Sequence, residues 1–144
     1  MRIMNILKWL LRLLPVAYMA AIWTMSSLPA NHFVELPDSQ IDRTIKESLH
    51  LIEFGILYVL LVLAFLTGRR EFTPALNLVC AVIAGLYGIT DELHQSFYPY
   101  RSASWFDLVK DFIGVGVAFY FIRGALFKGK FKRLGSALNL IRKI

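Results

Sequence analysis

TDELHQSFYPYRSASWFDLVKD, residues 90–111, gathers Asp91, Glu92, His94, Gln95, Arg101, Asp107 and Asp111 where one apolar run ends and the next begins. Ionisable groups at a bilayer boundary are costly to desolvate, so such a cluster marks a candidate functional site if the flanking runs are membrane spans. Composition says that they are. Of 144 residues, 57% are hydrophobic and 18% charged, with mean hydropathy +0.56. A soluble domain is about half apolar and about a quarter charged.

Four apolar runs follow in order, at residues 9–28, 49–67, 74–89 and 106–123. A helical crossing takes about 20 residues, so the length suits four spans. The expected fold is all-α. Residues 1–123 form an integral membrane four-helix bundle, and residues 124–144 a basic amphipathic helix at the interface. Runs three and four are short, which calls for an extra turn into their flanks or a locally thinned bilayer. Arg12 interrupts the first run near enough to its end to snorkel. That run also resembles a signal peptide, but no clean small-x-small site follows; Thr24 with Ser26 is the best candidate. A retained helix is expected.

Cys80 is the lone cysteine, so neither an internal disulfide nor a thiolate-rich metal site is expected. The net charge of +6 does not point to nucleic acid, because the basic residues flank apolar runs. Their expected partners are membrane lipids, through anionic headgroups.

Orientation follows from Lys and Arg in the short flanks. Arg2, Lys8, Arg12, Arg69, Arg70, Arg123, Lys128, Lys130, Lys132, Arg133, Arg142 and Lys143 lie on one side, twelve of sixteen. Arg43, Lys46, Arg101 and Lys110 lie on the other. Both termini are therefore expected in the cytoplasm, with loops 29–48 and 90–105 outside. In the tail, Phe127, Phe131, Leu134, Leu138 and Ile141 recur at steps of four and three, with the basic residues mostly off that stripe. Such a helix lies in the inner interface.

Three segments supply the candidate site. On span two, Lys46, His50, Glu53 and Leu57 share a helical face. At the end of span three, Tyr87, Asp91 and His94 share a face, and Glu92 and Gln95 are expected to point to one side. Arg101 follows Pro99, and its guanidinium suits a carboxylate or a phosphate. On span four, Asp107 and Asp111 face one way, with Lys110 beside them. Acids in a first turn favour the positive helix end, which explains Asp107 better than Asp111. Gly114 and Gly116 allow close helix approach.

The ligand-binding candidates are thus His50, Glu53, Asp91, Glu92, His94, Gln95, Arg101, Asp107 and Asp111. Glu53, Glu92 and His94 are candidate acid–base groups. No fixed metal-ligand spacing is present, so no metal and no cofactor is expected. Ser96, Ser102 and Ser104 read as ordinary loop serines.

Two segments, KESLHLIEFGILYVLL and TDELHQSFYPYRSASWFDLVKDFIGVGVA, resemble the VanZ-like membrane protein family across all four runs. The matching positions are His50 and Glu53 with Phe54, then Glu92, His94, Gln95, Phe97, Pro99 and Arg101, then the acid pair Asp107 and Asp111 with Gly114. Tyr100 stands where relatives usually have glycine, Asp111 where many have asparagine, and Glu47 where many have a basic residue. The resemblance implies a bacterial inner-membrane protein and, through the founding member, a link to resistance to the glycopeptide teicoplanin. It supplies no reaction. Three functions stay open. The site recognises or modifies an amphiphilic envelope ligand, such as a lipid-linked precursor or a lipopeptide-like antibiotic. Alternatively, it is a closed structural network in a scaffold, or an acid–base enzyme site.

Overall fold

A computed structural model describes residues 2–29, 39–99 and 104–144, and among these the side chains of all but residues 2, 39–47 and 50. The described residues form five α-helices and no strand: α1 (Arg2–Ser26), α2 (Ser39–Leu66), α3 (Pro74–Gln95), α4 (Trp105–Phe127) and α5 (Lys132–Arg142). Local sequence explains where the helices begin. Thr73 caps α3 by accepting the Leu76 N–H at 3.2 Å, with Pro74 at the first helical position, where its missing N–H costs nothing. Ser104 caps α4 by accepting the Phe106 N–H at 3.2 Å. Ser104 is therefore a helix cap, not an ordinary loop serine.

The helix α2 is the hub and packs on each of the other four. Phe54, Leu57, Tyr58, Leu61, Val62 and Leu66 recur at helical spacing, and all are buried. Ile22 of α1, Cys80 and Ala84 of α3, Val115 and Ile122 of α4 and Leu138 of α5 close around that stripe. The tightest approach is α2 on α4. A Cβ on Gly114 would stand 1.8 Å from the Leu51 carbonyl oxygen, and one on Gly55 would stand 3.1 Å from that of Gly114. Glycine at 114 is required for this crossing, as its spacing suggested.

Outside this core much of the helix surface is apolar. Ile3, Ile6, Trp9, Leu10, Leu13 and Val16 of α1 are all exposed. Apolar exposure on this scale suits a lipid solvent, not water. Two helices are long and apolar enough to cross a membrane, Ile3–Ser26 and Pro74–Gln95. A third candidate is α4 with α5, which bend by 78° at their junction. Leu51–Leu66 is a shorter apolar stretch. The chain is thus a helical membrane protein with two or three candidate spans among the described residues.

The C-terminal ends of α3 and α4 lie beyond the apolar runs. The α3 helix continues six residues past the third run, to Gln95, and carries the acids with it. At the other end of the molecule, Arg12 does more than snorkel. Its Nη2 donates to the Thr67 carbonyl just past the end of α2, and its guanidinium lies 5.7 Å from the Trp9 ring. A cation there satisfies a carbonyl that α2 leaves without a helical partner. Between α4 and α5 the chain turns through Gly129 (φ 63°) and Phe131 (φ 52°). The Phe131 ring packs 4.8 Å from that of Phe121, which holds this left-handed residue in place. Leu138 then seats α5 in the core, so the tail is docked on α2 and α4 rather than only laid beside them.

A candidate functional site where four helices meet

The helices α1 to α4 bring a polar layer together at one end of the core. Asp91 is enclosed, at 1% exposure. Ser26 Oγ donates to Asp91 Oδ1 at 2.5 Å, and Gln95 Nε2 donates to Asp91 Oδ2 at 2.7 Å. Gln95 Nε2 also lies 3.5 Å from Ser26 Oγ. The expectation that Gln95 points away from Asp91 is therefore corrected. The two are four residues apart on α3, one turn, and so stand on the same face.

Glu92 turns to α4 and accepts the Ser104 N–H at 3.1 Å. Asp111 is 1% exposed and packs on the bare backbone of Gly88; a Cβ there would stand 3.4 Å from Asp111 Oδ2. Glu53, Asp91, Glu92 and Asp107 all lie within electrostatic reach of Asp111. Glu53 also acts on Tyr18 and Tyr87, so it faces the α1–α3 side of the layer. Acids from α2, α3 and α4 thus share one neighbourhood.

His94 stands at the edge. Its Nε2 is 2.9 Å from Ser27 Oγ, and its ring stacks on Trp23 at 3.8 Å and meets Tyr98 edge-on at 5.1 Å. Asp107 is drawn to Lys110, 3.1 Å away in the first turns of α4. Asp107 lies in the first turn of α4. The His50 side chain, the Lys46 side chain and Arg101 lie outside the described residues. No group of three or more metal-ligating side chains is found among the described residues.

Beside this layer, α3 and α4 part into a cleft of about 310 Å³. Ile89, Leu93, Leu108 and Trp105 form its apolar wall, with Glu92, Ser96 and Ser104 as its polar part. Such a lining has room for an acyl chain beside a group that hydrogen-bonds Glu92.

Sequence reasoning missed the contribution of α1. Ser26 and Ser27 hold Asp91 and His94, Trp23 stacks on His94, and the Met19 carbonyl accepts the Tyr87 hydroxyl at 2.6 Å. The available signal was a serine pair closing an apolar run, which reads equally well as a helix end.

These features define a helical membrane protein whose polar groups are gathered inside one end of an otherwise apolar core. The chain belongs to the VanZ/LLP1 family, whose model matches residues 3–128. Neither a curated protein nor a solved structure matches.

Proposed function

We propose that this protein binds an amphiphilic envelope lipid or lipid-like antibiotic at the extracytoplasmic end of its helices. In this reading α1 to α4 each cross the bacterial inner membrane, both termini are cytoplasmic, and α5 lies at the inner interface. The basic-residue asymmetry supports that orientation. The observation that carries the function is the α3–α4 cleft, which pairs an apolar wall with Glu92 and Ser104. A chain lies against Leu93 and Leu108, and the polar end of the ligand meets Glu92, with Arg101 and His50 as further candidates. Lipid-linked cell-wall precursors and lipopeptide-like antibiotics have this shape. His94, Glu92 and Glu53 supply acid–base groups if the ligand is also modified.

Filling the cleft tests this. Leu93 is exposed on its wall, so Leu93→Trp blocks the cleft without disturbing the core. In nanodiscs, a fluorescently tagged phosphatidylglycerol should bind the variant at least tenfold more weakly, with unchanged melting. Equal binding by the variant and the parent protein would remove the cleft from the function.

The scaffold reading also has its observation. Asp91 is enclosed, with Ser26 and Gln95 satisfying its two oxygens, as in a structural network. The two readings assign different acids: Asp91 to the fold, Glu92 to the ligand. Arg101→Lys keeps the charge but loses the forked geometry. Weaker binding of the tagged lipid with intact melting would place Arg101 with the ligand, and lowered melting would place it with the fold.

A further inference from the structure

The end of the molecule away from the polar layer has a second concave surface. There Phe72, just before α3, stacks 6.1 Å from Phe127 at the end of α4, and α5 bends away from α4 by 78°. At that bend lies a pocket of about 380 Å³, lined by Phe121, Phe131, Lys132, Arg133 and Leu134. Its aromatic part is packed in place. The Phe131 ring lies 4.8 Å from that of Phe121 and 6.1 Å from that of Tyr120. A Cβ on Gly124 would stand 2.9 Å from the same ring, so glycine there lets Phe131 settle on α4.

Two features say what fits. The first is charge. Lys132 and Arg133 are exposed and form no ion pair among the described residues. No Asp or Glu follows Asp111 in the sequence, while basic residues run from Arg123 to Lys143. Glu71 is engaged at the other end of α5, 3.7 Å from Arg142. The positive end of the α5 dipole adds to the same charge. The second feature is an apolar path. Ile113, Val117 and Phe121 recur every four residues on α4, and all are exposed. They form one ridge that leads about 12 Å along α4 from the pocket.

We propose that this pocket seats the phosphate of an anionic phospholipid from the leaflet at this end, with an acyl chain along Ile113, Val117 and Phe121. In the proposed orientation that is the inner leaflet. The seat is independent of the α3–α4 cleft and its ligand. The Arg133 guanidinium forks onto phosphate oxygens, and Lys132 supplies a second, compact charge. A zwitterionic lipid carries the same phosphate, but its cationic end finds no carboxylate in the lining. A soluble anion would use the charges and leave the ridge unused. The competing account is diffuse attraction between a basic tail and an anionic surface, which depends on total charge and not on place.

A local reporter separates these accounts. A single-tryptophan protein (Val117→Trp with Trp9→Phe, Trp23→Phe and Trp105→Phe) is placed in phosphatidylcholine vesicles. A minor fraction of the lipid is brominated phosphatidylglycerol or, in a parallel sample, brominated phosphatidylcholine. Bromine quenches tryptophan at close range, so the signal reports which lipid occupies the ridge. Phosphatidylglycerol should be preferred about tenfold. Lys132→Gln with Arg133→Gln should bring the two lipids level at unchanged melting. Arg142→Gln with Lys143→Gln removes the same formal charge and should keep the preference. Equal quenching by both lipids in the reporter protein, or an equal fall in both double variants, overturns the seat and leaves cleft binding standing. Inorganic phosphate at constant ionic strength should leave the preference intact. Its loss would give the pocket to soluble anions and reject the lipid.

Discussion

At the scale of single residues, the α2–α4 crossing and the Asp91 network make separable demands. Gly114 faces the Leu51 carbonyl at a distance no Cβ tolerates, whereas a Cβ on Gly116 would meet nothing within 4 Å. Backbone pressing on backbone cannot relax as a side chain does, so Gly114→Ala should cost at the upper end of about 1–3 kcal/mol or beyond. Gly116→Ala should be neutral or stabilise by up to about 1 kcal/mol through helix propensity. Thermal melting in detergent compares the two, and equal melting would show that the crossing is not as close as described. In the polar layer, Ser26→Ala removes one donor to a buried carboxylate and leaves Gln95 in place. A loss of about 1–2 kcal/mol is expected, with binding of the tagged lipid unchanged. A binding loss at constant melting would transfer Asp91 from the fold to the ligand.

At the scale of elements, α5 depends on its docking. It has 11 residues, and isolated helices shorter than about 12–15 residues are marginal in water. Leu138 is buried in the core while Leu140, two residues on, is 68% exposed. Leu138→Ala should therefore release the helix, at a cost of about 2–5 kcal/mol if the site does not collapse, and Leu140→Ala should not. Hydrogen exchange across α5 reads the difference; equal protection in both variants would mean that the interface alone holds the tail. Arg12 acts between elements in the same way. It ties α1 to the end of α2, so Arg12→Leu should loosen that end and lower melting, with Lys8→Leu as a control.

At the scale of the whole molecule, the proposed orientation would assign every site to a compartment. A cysteine at Ser102 should react with a membrane-impermeant reagent applied outside cells, and one at Ser136 should not. The reverse labelling would move the polar layer to the cytoplasmic side and with it the proposed ligand.

Composition and periodicity alone determined that the chain is helical and that lipid is its solvent, and they singled out the acids of α3 and α4 but not Ser26 and Ser27 of α1. These properties follow from single residues and short repeats, because a bilayer penalises each polar group independently of the rest of the chain. Gly114 was legible for the same reason, since a missing side chain in an apolar helix has few uses besides close packing. The tertiary structure alone decided how the polar set is divided. Asp91 and Gln95 were expected to diverge, yet they meet one turn apart on α3, and α1 brings Ser26 to the other oxygen of the same carboxylate. Asp107 turns to Lys110, while Asp111 goes inward against Gly88. The α3–α4 cleft also emerges only from the packing. A cleft depends on where two helices part, a relation not written in the order of residues along one helix.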